Sequence, residues 1–185
     1  MNKLFQYAGI AASIVLIAFG VGALYMGIDG RAMVRSDLAR EQIVGTPDST
    51  IPNQKVDTGS EAKAFAAVMR KHTLEATGGQ TYAQMGRYLD ASGKPTNDEK
   101  AAAINPQTKK PVENGLRAMW VNETALSTAL NTAYFAESVA TFAIVMGIAL
   151  LLAGLGFGVL TFRALTPEQD RNEARAQTRA AVPVT

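Results

Sequence analysis

Two long apolar runs constrain this chain more than any motif it carries. They extend from about Phe5 to Met26 and from about Ser138 to Phe162, and neither contains Asp, Glu, Lys or Arg. At a helical rise of ~1.5 Å per residue, runs of roughly 22–25 residues cover ~33–37 Å, against a hydrocarbon core of ~30 Å. Backbone polar groups must be satisfied within the segment in lipid, and barrel strands alternate in polarity, so continuous runs of this length read as helices. The expected class is an all-α membrane protein with two transmembrane helices and a helical extramembrane insert between them.

The expected organisation is a short N-terminus (1–4), a first transmembrane helix (5–26), the insert (27–133), a second transmembrane helix (134–162) continuous with a helix starting near residue 112, and a charged tail (163–185). The insert, roughly 107 residues, is polar and has only Phe65, Tyr82, Tyr88 and Trp120 as aromatics. That is enough chain for a small domain, but with a core thin enough to lean on the membrane helices or on a partner. The start Met1-Asn2-Lys3-Leu4 could also open a signal peptide, with Val21-Gly22-Ala23 as a cleavage site. The apolar run exceeds the ~7–15 residues of a typical signal core, so an uncleaved anchor is the expectation.

Charge gives orientation. Lys3, Arg163, Arg171, Arg175 and Arg179 lie on the terminal side of the runs, and Arg31, Arg35, Arg40 and Arg117 on the insert side. The bias is small, and the basic tail directly after Phe162 tips it toward cytoplasmic termini and an extracytoplasmic insert in the plasma membrane. A net charge of +2, spread along the chain, is no nucleic-acid footprint. The absence of cysteine excludes disulfides, thiol catalysis and thiolate metal sites together.

Within the insert, Gly27-Ile28-Asp29-Gly30 could break or merely loosen the first helix, which can otherwise extend to about Ile43. Gly45-Thr46-Pro47-Asp48 stops it, and Asp48 to Gly59 reads as a loop. An amphipathic helix is expected from about Ser60, as N-cap, to Ala76, with Phe65, Val68, Met69, His72 and Ala76 in one stripe and Gly78-Gly79 as the stop. A shorter helix is expected over Tyr82 to Asp90, then a proline-rich surface excursion from Ala91 to Pro111 with one helical turn at Asp98 to Ala103. Leu116, Met119, Trp120, Leu126, Leu130, Ala133 and Tyr134 form a helical stripe entering the second run.

Small residues punctuate both runs. Ala18 and Gly22 lie four apart in the first; Gly154 and Gly158 form a G-x-x-x-G in the second, with Gly147 two turns earlier. They are candidates for close helix packing, within the chain or in an oligomer. Within the insert, Phe65, Val68, Met69, His72 and Trp120 are interface candidates. Glu137, beside Tyr134, Phe135 and Ser138, is expected at the membrane interface, a buried proton or ion site being the alternative. His72 is the single histidine and cannot supply a two-His-one-carboxylate or three-His metal site within one chain. No metal, cofactor or catalytic set is expected. Asn122-Glu123-Thr124 matches a glycosylation sequon inside an expected helix and carries no argument.

Val56-Asp57-Thr58-Gly59 and the run Met69-Arg70-Lys71-His72-Thr73-Leu74-Glu75-Ala76-Thr77-Gly78-Gly79-Gln80-Thr81-Tyr82-Ala83-Gln84-Met85 resemble a group of small actinobacterial two-span membrane proteins. Their insert carries a K-H-x-L-E-A-[ST]-x-G-x-T-Y-A pattern. The resemblance covers both runs and about a third of the insert; the stretch Ser92 to Asn114 is longer than the group's norm. Members are often labelled aromatic ring-opening dioxygenases, chemistry that needs a metal site a one-histidine chain does not contain. The resemblance implies a topology and no activity. The expected function is that of a non-enzymatic accessory or structural subunit, packing into a membrane complex (a respiratory one among the candidates) or into a homo-oligomer. Its partners would be the lipid bilayer and other subunits or copies of itself. A channel or transporter component and a membrane-anchored extracytoplasmic sensor are the rivals.

Overall fold

The computed structural model describes residues 2–180, and side chains from Tyr7 to Phe162. Most of the chain is helical: α1 spans Asn2–Arg40, α2 Gly59–Ala76 and α3 Gly115–Ala180. Two helices are long and apolar enough to cross a membrane, over Tyr7–Arg40 and Gly115–Phe162. The Gly27 to Gly30 segment does not interrupt α1, which ends three residues before Ile43 because Gln42 takes a positive φ. The tail expected after Phe162 is carried as helix to Ala180; its side chains and residues 181–185 lie outside the described residues. By packing, the chain divides into two compact units, Met1–Arg31 with Val139–Thr185, and Ala32–Ser138.

In the first unit the apolar parts of α1 and α3 pair antiparallel, along a seam described below. In the second, Leu38, Val56, Ala62, Ala66 and Leu130 form the core, with Val34, Ile43, Ile51, Phe65, Met69 and Ala133 packed against it. Thus three helices and the 41–58 loop each contribute. The loop is tied by its own backbone: Val56 N–H donates to Ile43 O at 2.9 Å and Gly45 N–H to Gln54 O at 2.8 Å.

Helix α2 starts two residues earlier than its stripe suggests. Thr58, not Ser60, is the N-cap: its hydroxyl accepts from the Glu61 N–H while the Glu61 carboxylate accepts from the Thr58 and Asp57 N–H groups. Thr58-Gly59-Ser60-Glu61 is the T-x-x-E capping box, which satisfies orphan amide donors reciprocally. At the other end Gly78 (φ 63°) and Gly79 (φ 79°) turn the chain through the left-handed region, with Gly79 N–H on Leu74 O at 2.7 Å.

The helix expected over Tyr82 to Asp90 is absent. Tyr82–Gln84 is a single 3-10 turn, and Tyr88–Leu89 is a strand (β1) paired antiparallel with Pro95–Thr96 (β2). Four residues decide this. Gly86 sits where a Cβ would lie 2.5 Å from Thr96 N, and Gly93 takes φ 78°. The Asp90 carboxylate accepts from the Ser92 and Lys94 N–H groups, and Asn114 donates to Gly86 O at 3.0 Å. Bridges from Asp90 to Ala102, Ile104 to Pro111 and Tyr88 to Glu113 continue the pairing. What read as a loose excursion is therefore a tied β-loop, with one 3-10 turn at Glu99–Ala101, and Met85 and Tyr88 are buried.

Candidate functional site: the helix seam and the polar clusters

The seam follows a seven-residue spacing of small residues. Ser13, Gly20 and Gly27 on α1 meet Gly154, Gly147 and Ala140 on α3, so each step of seven along one helix matches a step of seven back along the other. At Gly20 an added Cβ would lie 2.9 Å from Gly147 O, and at Gly147 it would lie 2.9 Å from Gly20 O. At Gly27 it would meet Ala140 O at 2.7 Å. Backbones come this close only where side chains are nearly absent, and a seven-residue period is that of left-handed helix pairs. The hydroxyl of Ser13 donates to Gly154 O at 2.7 Å across the seam, so the buried polar group of α1 is satisfied by the other helix.

Gly147, Gly154 and Gly158 thus line the seam, Gly158 with Ser13 Oγ 3.1 Å from its would-be Cβ. Ala18 and Gly22 do not; both are exposed, and an added Cβ at Gly22 would meet nothing within 4 Å. Positions i and i+2 on a helix are about 200° apart, so Gly22 faces away from the side on which Gly20 packs. Large apolar side chains cover the outer faces, among them Phe19 and Tyr25 on α1 and Phe142, Leu152 and Phe162 on α3.

In the second unit Glu137 is buried and holds three helices. Its Oε1 accepts from Arg35 Nε at 2.8 Å, and its Oε2 accepts from the N–H of Gly59, the first residue of α2. A carboxylate at a helix N-terminus meets unpaired N–H donors and the positive end of the helix dipole. Gly59 is required there: a Cβ would come within 2.8 Å of Tyr134 Cα and 2.9 Å of Glu137 Oε2.

The interface candidates of the insert are used internally. Val68 is buried, and Phe65 and Met69 pack on the core. Trp120 is 3% exposed, with Arg70 stacked 5.3 Å from its ring, and its indole N–H donates to Gln80 O at 3.0 Å. Trp120→Phe removes that bond and leaves a gap where the larger indole packed, so the expected loss is about 1–3 kcal/mol in chemical unfolding of this unit.

His72 turns toward the 41–58 loop, its Nε2 2.8 Å from Asp48 Oδ2, which also accepts from Lys71 Nζ at 3.0 Å. These bonds, His72 first and then Lys71 and Thr46, hold the Asp48 carboxyl well below its ordinary value near 3.8, and Asp48 in turn raises Lys71. An acid depressed in the folded state stabilises fully above its unfolded value, and the contribution disappears as pH falls below it. Asp48→Asn should therefore speed amide exchange of residues 43–56 at neutral pH, and the difference from the parent chain should shrink as pH drops below 3.8. An unchanged difference on acidification would contradict this.

No group of three or more His, Cys, Asp or Glu side chains among the described residues is arranged to hold a metal ion. Comparison with protein-family models, curated proteins and solved structures gave no match.

Proposed function

We propose that this chain is a two-pass membrane protein acting as a non-enzymatic accessory or structural subunit, its apolar unit in the bilayer and Ala32–Ser138 outside it. The carrying observation is the exposure of the apolar helices. Only 11% of the most apolar window of each is buried within the chain, whereas the core helix of a water-soluble protein is mostly buried. So extensive an apolar surface calls for lipid or other membrane helices around it. Packing explains the seam: glycine backbones in contact and the Ser13 hydroxyl bonded across favour a closed helix pair over a water path between the two. The polar clusters support a structural role, because Glu137, Asp48 and the Trp120 indole are each engaged in joining elements.

The test is the mass of the assembly extracted from native membranes in mild detergent, with co-purifying chains identified by mass spectrometry. Stoichiometric foreign subunits are the expected result. A pure homo-oligomer would leave self-association as the structural role, and a lone monomer would overturn the subunit reading.

A further inference from the structure

One buried acid is not spent on joining elements. Glu123 on α3 is 4% exposed, yet its carboxylate accepts hydrogen bonds from hydroxyls of its own helix, Ser127 Oγ at 2.7 Å and Thr124 Oγ1 at 3.4 Å. A buried carboxylate is costly unless a cation and further donors meet it. Two cations stand on the facing helix, and neither pairs with it: Lys63 lies over the Tyr134 ring at 4.4 Å and Arg70 over the Trp120 ring at 5.3 Å.

Between them is a groove of about 340 Å³. That is within the ~300–1,000 Å³ of small-molecule sites, at their lower end. Its α2 wall reads Lys63, Ala66, Ala67, Arg70, so two alanines keep the middle open between the cations. The α3 wall continues from Glu123 through Ser127 to Asn131 and is polar at each of these positions. A helix seam built for packing would be apolar; this one offers one acid, two bases and uncharged donors across a small gap.

We propose that this groove binds a small zwitterion: a primary ammonium joined by a short linker to a carboxylate or phosphate. The ammonium would pair with Glu123 between the Ser127 and Thr124 hydroxyls, and the anionic group would take the free N–H donors of Lys63 and Arg70. A simple cation would meet two positive side chains, and a simple anion would leave Glu123 without a cation, so a ligand with both charges matches the groove best. This inference does not depend on the subunit reading.

The test is calorimetry and thermal unfolding of the full chain in detergent with glycine, β-alanine, γ-aminobutyrate and O-phosphoethanolamine, against ethylamine and acetate. Expected is saturable binding of at least one zwitterion, with the singly charged probes roughly tenfold weaker or worse. Glu123→Gln should weaken the zwitterion by a similar factor, and Lys63→Gln should weaken it while Lys63→Arg retains it. Should Glu123→Gln not fold, Ser127→Ala serves in its place. Binding of the amino acids points to a soluble ligand. Binding of phosphoethanolamine alone, competed by nanodiscs of phosphatidylethanolamine but not phosphatidylcholine, points to a lipid headgroup. No saturable binding up to about 20 mM, or equal binding by Glu123→Gln, would overturn the proposal.

Discussion

Gly147→Val should force the two apolar helices apart and lower the stability of their pairing by about 1–3 kcal/mol, the usual cost of overpacking. The added Cβ would lie 2.8 Å from Leu24 Cγ and 2.9 Å from Gly20 O. The leucine can rotate away, but a backbone carbonyl in a helix cannot, so the helices must separate. Gly20→Val meets the same obstacle from the other side, at 2.9 Å from Gly147 O. Gly22→Val and Gly156→Val are the controls, because nothing lies within 4 Å of either. The readout is unfolding of the purified chain in mixed micelles of rising denaturing-detergent content. Equal loss at Gly22 and Gly147 would show that glycine content rather than the seam matters. The register itself can be trapped, since the chain has no cysteine to interfere. A Cβ on Gly9 would lie 3.6 Å from Thr161 Cβ, within the ~3.5–4.5 Å range of disulfides. Gly9→Cys with Thr161→Cys should therefore close an intramolecular bridge under mild oxidation, and Gly22→Cys with Thr161→Cys should not.

The two apolar helices were legible because their signal is composition over a window, which no tertiary contact can disguise. The seam was harder to read for a physical reason. The first helix carries small residues in several registers, and the four-residue pair Ala18 and Gly22 is as conspicuous as the seven-residue series Ser13, Gly20 and Gly27. Which series faces inward is decided by the partner helix. The matching series Ala140, Gly147 and Gly154 was the available clue, but only when the two runs were aligned in opposite directions.

Local chemistry behaved similarly in the insert. The stripe of α2 gave the helix, while Ser60 competed with Thr58 for the cap; Glu61 three residues after Thr58 was the deciding signal. Tyr82 to Asp90 has enough helix formers to suggest a helix, and the pairing that overrides it comes from residues 95–114, beyond any local window. His72 bonds across 24 positions to Asp48, and Glu137 across 102 to Arg35. Glu123 lies among polar neighbours that look like a solvated face. Its burial depends on where α2 packs, so no pattern around it could announce the groove.

The largest single-residue effect outside the seam is expected at Glu137. Glu137→Ala removes a buried acceptor from the Arg35 guanidinium and from the Gly59 N–H at the start of α2. Breaking a fully buried ion pair costs ~3–5 kcal/mol, but the Arg35 side chain is 43% exposed and can recover water, so that part is discounted. The Gly59 amide is buried, and an unsatisfied donor there costs ~1–3 kcal/mol by itself. Together the expected loss is about 2–4 kcal/mol. It should appear as faster amide exchange through the first turn of α2 and a lower unfolding midpoint of residues 32–138. Glu137→Gln keeps an acceptor for Gly59 but not the charge, so it should lose about 1–2 kcal/mol. Gly59→Ala strikes the same junction from the other element, at 2.8 Å from Tyr134 Cα. If Glu137 merely sat at a wet boundary, Ala and Gln would behave alike. A graded series, Ala worse than Gln, is what a carboxylate seated on a helix N-terminus requires.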